Sequence, residues 1–515
     1  MRVDGGDDRP VDEWNPNSIF TWGEWRLSVL QVIVPLLTAP LCALVRHGRT
    51  AWAIAVASSW ISLWMAWKIF QLVQADGAIS YNLGGWPAPI GIEYKIDALS
   101  AFVLIIVTLV GAVVTPYALK SVGREVGTSR EALFYAAFLL CLSGLLGIVV
   151  TGDMFNVFVF LEISSLSAYA LIALGRDRRA LTASYQYLIM GSVGATFIVI
   201  GIGMLYVMTG SLNMADLAIL LPELPSNRTI PVAFAFLSVG VCLKLALFPL
   251  HMWLPNAYAY APSAVTAFIA STATKVAIYM LLRFFFTVFG VHFSFSEMQL
   301  GIILLPLSLI AIFSMSLVAI FQTNVKRMLA YSSLSQIGYI ILGISFFSNT
   351  GLTAGILHLF NHAIIKGSLF MALGCVMYRL NSVELENMRG LGKKMPLTMG
   401  AFMVGGFSLI GVPFTAGFVS KWYLIQGAIE KGLWPVALLI LMTSLMAVVY
   451  IWRVVESVYF SEFDESQNDD CTEAPLGLLL PTWALALLCL YFGINATLTT
   501  SGASLAAANL LGIGS

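Results

Sequence analysis

The sequence predicts an all-α integral membrane protein of about fourteen transmembrane helices. Composition points there first: of 515 residues, 59% are hydrophobic and only 10% charged, against roughly 45–50% and 25% in soluble domains. Polar surface on that scale is too scarce to clothe a globule in water. Apolar runs of about 20 residues, enough to cross a hydrocarbon core of roughly 30 Å as helices, recur almost from end to end. The third sign is an alternation of positive charge. Arg46 and Arg49; Lys120, Arg124 and Arg130; Arg176, Arg178 and Arg179; Lys326 and Arg327; and Arg379, Arg389, Lys393 and Lys394 fall in every second connection, as cytoplasmic loops do.

In chain order the spans begin near Arg26, Ala51, Asp97, Glu131, Asp153, Tyr185, Pro231, Pro262, Leu300, Lys326, Gly351, Met399, Trp434 and Pro475. The charge alternation puts both termini outside the cytoplasm, in keeping with acidic Asp7, Asp8, Asp12 and Glu13. A polar N-terminal stretch of about 25 residues lacks the basic start and short apolar core of a cleavable signal, so the first helix is expected to be kept. The connection from Ser461 to Glu473 is acidic although it falls on the basic side, but acidic residues weigh little in the rule. Ser211, Asn213 and Asp216 form a start-cap pattern for a short interfacial helix, which Pro222 and Pro225 stop. Thirteen tryptophans, many near span ends (Trp22, Trp25, Trp86, Trp253, Trp434), fit an interfacial anchoring belt. Asn227, in Asn227-Arg228-Thr229, formally matches a glycosylation acceptor with nothing else behind it.

Several function classes are excluded. Net charge is zero, which leaves no basic field for nucleic acid. Six cysteines stand without paired spacing, so no disulfide framework, zinc site or iron–sulfur cluster is expected, and no other cofactor motif is present. No connection is long enough for a soluble domain, which argues against an enzyme working outside the bilayer.

Two spans are interrupted in the same manner: CLKLALFPLHMWLP by Pro249 and Pro255, and GFSLIGVPFTAGFVSKWYLI by Gly411, Pro413 and Gly417. Proline frees a carbonyl and bends a helix. Such backbone is tolerated at membrane depth only where protein or a watery cavity satisfies it. Packing kinks are the bland alternative, but each break lies within about eight residues of an intramembrane lysine, Lys244 or Lys421, and paired breaks mark pathways and internal repeats.

A charge at the bilayer centre costs roughly 2.5–3.5 kcal/mol or more, so unneeded ones should be rare. Glu162 lies about nine residues, roughly 14 Å, inside its span. Lys244 and Lys275 are about as deep, with Ser271 one turn before Lys275. In ILHLFNHAIIKGSLF, His358, His362 and Lys366 recur every four residues and share one helix face. Two histidines at that spacing can hold a metal, but no glutamate accompanies them and the next turn carries an ammonium, so no metal is expected and a proton relay is favoured. Asp97 and Asp153 stand at span starts as helix caps or pore-mouth groups, and His251 beside the first break is undecided. Structural ion pairing is the competing explanation, yet Glu162 can neutralise only one of Lys244, Lys275, Lys366 and Lys421. Desolvated lysines without counter-ions exchange protons near neutral pH, as histidine does. With one deep carboxylate there is no multi-oxygen cage for sodium.

These residues carry a resemblance. The segment Asp153 to Leu174 with Glu162, the Lys244 helix running into FPLHMWLPNAYAYAPSAVTAF, Lys275, HLFNHAIIK and GVPFTAGFVSKW resemble, over about residues 95–460, the antiporter-like subunits shared by respiratory complex I and the Mrp-type multisubunit cation/proton antiporters. GDMFNVFVFLE and EYKIDALSAFV are most similar to the D-subunit branch of the Mrp type. The resemblance implies two inverted five-helix repeats, each with a broken helix, spanning 131–290 and 299–460. They would follow an N-terminal segment 1–25 and three helices in 26–130, and precede the acidic connection and last helix in 461–515. It implies that Glu162 and Lys244 are the essential pair, continued by Lys275, His358 and Lys421; from their own positions His251, His362, Lys366, Asp153 and Ser271 are secondary candidates, and Pro249 and Pro413 the helix breaks. It also implies sibling subunits in a hetero-oligomeric complex of the bacterial cytoplasmic membrane, H⁺ with Na⁺ as the ions moved, and redox cofactors, where such complexes have them, on other subunits. The chain ends soon after its last span, without the lateral helix of the largest relatives.

Overall fold

The computed structural model describes residues 26–45, 47–225, 227–462 and 472–513. The acidic N-terminal segment with Trp22 and Trp25, Arg46, and most of the acidic connection lie outside the described residues.

The chain is a helical bundle. Its helices are α1 (Leu27–Val45), α2 (Gly48–Asp76), α3 (Ala98–Glu125), α4 (Glu131–Val150), α5 (Met154–Ala173), α6 (Arg179–Thr209), α7 (Met214–Glu223), α8 (Thr229–Leu245), α9 (Trp253–Tyr260), α10 (Ser263–Leu282), α11 (Leu300–Ile320), α12 (Val325–Ser345), α13 (Asn349–Leu380), the short α14 (Leu391–Lys394), α15 (Pro396–Ile410), α16 (Ala416–Glu430), α17 (Trp434–Val455), α18 (Leu476–Ile494) and α19 (Thr497–Leu511). Among the described residues twelve helices are long and apolar enough to cross a membrane, and α8 and α15 are shorter apolar helices. The span starts read from sequence fall near helix starts, the widest gap being at α6, which begins at Arg179 rather than Tyr185.

Caps set several of those starts, because the first amides of a helix lack intrahelical partners. Asp97 accepts from the Ser100 amide at 3.0 Å and Asp153 from the Asn156 amide at 2.6 Å. Asn213 accepts from the Ala215 and Asp216 amides at 2.9 and 3.0 Å and starts α7, which runs through Pro222 to Glu223 instead of stopping at the proline. Asn227 uses its side-chain oxygen in the same way, accepting from Thr229 and Ile230 at the start of α8.

Two elements depart from the sequence reading. The connection after α2 forms a small antiparallel hairpin, β1 (Ile79–Asn82) with β2 (Glu93–Ile96), in which Ile79 faces Ile96 and Tyr81 faces Tyr94. Helix α19 follows the last expected span. Its threonines, serines and alanines give no strong hydropathy signal, and it packs on α3 and α13 with Gly502, Ala503, Ala506 and Ala507 among its buried residues. Small residues of that kind let helix backbones approach closely.

Helix α13 stands at the centre, against α3, α10, α12, α15, α16, α18 and α19. The membrane-crossing stretches of α12 and α13 are wholly buried. The polar residues along them therefore face protein and not lipid, where an unpaired group costs several kcal/mol. Arg124, Arg176, Arg179 and Lys326 converge on one end of the bundle around a single pocket. Asp97, Lys95 and Arg283 line a pocket with the C-terminal end of α19 at the other end of α10.

Candidate functional site

The first break begins where α8 ends. Ala246 turns left-handed with φ of 60°, and Pro249 cannot donate to the helix. Trp253 serves here and not as an interfacial anchor. It is only 3% exposed, stacks on Tyr187 with ring centroids 4.0 Å apart, and its indole N–H donates to the Leu243 carbonyl at 3.1 Å. Lys244 occupies the last turn of α8, where the negative end of the helix dipole favours a cation. Its Nζ lies 3.6 Å from Glu162 Oε1 and donates to Ser165 Oγ at 3.0 Å. Glu162 and Ser165 stand one turn apart on α5, so one helix presents both acceptors. At 3.6 Å the carboxylate contact is electrostatic, beyond hydrogen-bond length. The Lys244 side chain is 4% exposed and that of Glu162 27%, although the Glu162 Oε1 atom that faces the lysine is itself buried.

The second break repeats the arrangement by another route. Helix α15 ends at Ile410, and Gly411 takes φ of 90°, where a side chain is strained and an added Cβ would stand 3.0 Å from Lys421 Cδ. Lys421, on α16, reaches back across the break. Its Nζ donates to the Leu409 and Ile410 carbonyls at 3.0 and 2.9 Å and to Ser444 Oγ at 3.2 Å. Both break lysines thus put a positive charge at the C-terminal end of a half-helix.

Between the breaks run α10, α12 and α13. Lys275 Nζ donates to the Ala270 carbonyl at 2.5 Å and lies 3.5 Å from Thr274 Oγ1. The Ser271 hydroxyl expected to serve Lys275 instead has no hydrogen-bond partner. Lys366 Nζ donates to the Leu329 carbonyl at 2.8 Å and to Ser332 Oγ. His358 hydrogen-bonds through both ring nitrogens, Nδ1 to Ser420 Oγ at 2.8 Å and Nε2 to Gln336 Oε1 at 3.0 Å. The His362 ring stacks on it with centroids 6.0 Å apart, and neither His362 nitrogen has a partner. Lys366 follows His362 by one turn on α13, and α10, which carries Lys275, packs against that helix. Tyr339 closes the gap to the second break, its ring 6.0 Å from that of His358 and 5.1 Å from Lys421 Nζ.

The structure therefore joins the sequence-derived residues in two groups: Glu162 with Lys244, and Lys275, Lys366, His362, His358 and Lys421 along the core. Among the described residues no hydrogen bond or ion pair links the first group to the second, although α8 packs on α10. His251 is buried against Phe248 with its Nδ1 unpartnered. Asp153 is a helix cap, and burial pushes its carboxyl up against the pull of the Asn156 and Phe155 amides.

Sequence reasoning missed other buried polar groups. Arg283, just past the end of α10, forms an ion pair with Asp97 and donates to Tyr279 Oη at 2.9 Å. Lys326, read as part of a basic connection, lies in the first turn of α12 and is 1% exposed. Gln336 and Ser420 hold His358. A glutamine in a membrane span was the one local signal available for them.

A family model described as "NADH:quinone oxidoreductase/Mrp antiporter, TM" matches residues 151–447. The NADH-quinone oxidoreductase subunit N of Desulforudis audaxviator is 42% identical over 84% of this chain and 86% of its own length. The D subunit of the Na(+)/H(+) antiporter of Bacillus subtilis is 31% identical over 91% of this chain and 93% of its own. Among solved structures, a chain of the Mrp complex from Dietzia sp. DQ12-45-1b superposes with a TM-score of 0.86 at 26% identity, covering 95% of this chain and 98% of that one.

Proposed function

Because the chain belongs to the NADH:quinone oxidoreductase/Mrp antiporter transmembrane family, we propose that it translocates protons as one subunit of a multisubunit Na⁺/H⁺ antiporter. One observation carries the reading. Lys244, Lys275, Lys366 and Lys421 are all buried, at 5%, 0%, 0% and 6% exposure, and among the described residues only Lys244 of the four has a carboxylate beside it. Counter-ions so few make poor structural glue, since an unpaired buried charge is destabilising. They suit groups that alternate between charged and neutral forms.

In this reading Glu162 favours the charged form of Lys244, and loosening that contact releases a proton inward. Lys275, Lys366 and His362 pass it along α13 to His358, whose Ser420 and Gln336 partners fix the ring orientation. Tyr339 lies between His358 and Lys421, and Lys421 holds the charge against the carbonyls of the second break. Supporting two repeats, over 131–290 and 299–460, each half has one broken helix with a lysine at a half-helix C-terminus. The chain performs no covalent chemistry of its own. It sits among sibling subunits in the bacterial cytoplasmic membrane, both termini outside and the arginine-rich face in the cytoplasm.

The 42% identity to an NADH-quinone oxidoreductase subunit N supports a second reading, in which the same axis is driven by a redox partner. The test is proton flux through the whole complex in everted vesicles, energised by a Na⁺ gradient or by a quinone-linked donor. Glu162→Gln and Lys244→Ala abolish flux under either reading, and the driving force that sustains flux in the parent separates the two. Unchanged flux in assembled variants overturns both.

A further inference from the structure

A second cluster of buried titratable groups lies outside this axis, where α3, α10 and α12 meet at the arginine-rich face. Lys326 Nζ donates to Ser263 Oγ at 3.0 Å and approaches the Ala261 carbonyl at 3.4 Å. Ser263 donates in turn to Glu125 Oε2, from its amide at 2.8 Å and its hydroxyl at 3.1 Å. Ser121 Oγ donates to the other Glu125 oxygen at 2.7 Å. One hydroxyl thus bridges a buried ammonium and a partly buried carboxylate, the only such bridge on this face among the described residues.

The cluster opens outward. A pocket of about 410 Å³ is lined by Glu125 and Lys326 together with Arg176, Arg179, Ser382 and Glu384. Inward, α12 carries the line on. Leu329 and Ser332, whose carbonyl and hydroxyl accept from Lys366, follow Lys326 by one and two turns on the same helix. At 1.5 Å of rise per residue that is about 4.5 Å to Leu329 and about 9 Å to Ser332. Lys326, at the pocket, and the Ser332 hydroxyl that accepts from Lys366 thus stand on one helix about 9 Å apart along its axis.

Resting on the proton-translocation reading above, we propose that Glu125, Ser263 and Lys326 form the port through which protons pass between the aqueous phase at the arginine-rich face and Lys366. Lys326 gives its proton to the Ser332–Lys366 pair when Lys366 is neutral; the Ser263 hydroxyl then turns to donate to the Lys326 amine and takes in exchange the proton that the Glu125 carboxyl has collected from the pocket. Arg176 and Arg179 stay charged and do not compete for it.

The experiment measures proton flux through the assembled complex in everted vesicles. Lys326→Met and Glu125→Gln lower flux at least tenfold, whereas Lys326→Arg, which keeps the charge but does not release it, fails to restore it. Recovery of full flux in Lys326→Arg marks a merely structural ion pair and overturns the port. Ser382→Cys, on the pocket wall and outside the cluster, transports normally. A bulky membrane-impermeant maleimide then stops its flux in everted vesicles, against an equally treated parent. Flux that persists after complete labelling overturns the port even if the cluster variants fail to assemble. Lys275→Ala separates the port from the axis: inactive Lys275→Ala with active port variants removes the port alone, while unchanged flux in Lys275→Ala removes the axis and the port with it.

Discussion

The ammonium of Lys421 donates to the carbonyl oxygen of Ile410 at 2.9 Å across a helix break. The side chain thereby occupies the place of the backbone donors that Gly411 and Pro413 take out of line, and it ties a charge to the geometry of the break. Lys421→Ala leaves the Leu409 and Ile410 carbonyls unpaired, at about 1–3 kcal/mol for a buried acceptor. The expected outcome is a lower melting temperature of the detergent-solubilised complex together with lost proton flux. A variant as stable as the parent contradicts the capping role.

The Glu162–Lys244 pair is asymmetric. Glu162→Gln strands a lysine side chain that is 4% exposed, whereas Lys244→Met frees a carboxylate that is 27% exposed. Each change leaves the other charge without its counter-ion, and breaking a buried pair costs roughly 3–5 kcal/mol. Both variants are therefore expected to melt below the parent, and both abolish flux. A variant that melts with the parent shows that the pair is not a stabilising contact.

His362 has two unpartnered ring nitrogens at 1% exposure. Replacing such a group by an apolar one of similar size is close to neutral or stabilising. His362→Leu is expected to leave the melting temperature unchanged or higher while proton flux falls several-fold. A drop in stability with flux retained reverses the assignment.

Asp97, at the start of α3, gives a pH-dependent test. Burial pushes its carboxyl up, but the Arg283 charge and the hydrogen bonds from Arg283 and Ser100 outweigh that and hold it below the usual carboxylate range. A depressed folded value means that the pair contributes stability above the unfolded value of about 3.9, and that the contribution fades as pH falls through the folded one. Asp97→Asn lowers the melting temperature at pH 7, and the parent and variant curves converge below about pH 4. A constant gap across that range excludes the ion pair as the cause.

What the sequence determined by itself is one-dimensional: the bilayer as solvent, the helix starts, the Asp97, Asp153 and Asn213 caps, the two breaks, and the depth of Glu162 and the lysines. Each follows from run lengths, turn residues and the rarity of charge in apolar stretches, which are local properties. The tertiary structure alone decided which groups meet. It chose Lys244 for Glu162, turned Lys421 onto backbone carbonyls, drew Trp253 inward, buried Lys326 against Ser263, and joined Arg283 to Asp97 across 186 positions. It also added α19, whose small residues matter only against a neighbouring backbone. The reason is physical: the periodicity of a helix fixes how deep a residue lies and on which face, but its partner depends on how distant helices pack, and no local signal encodes that.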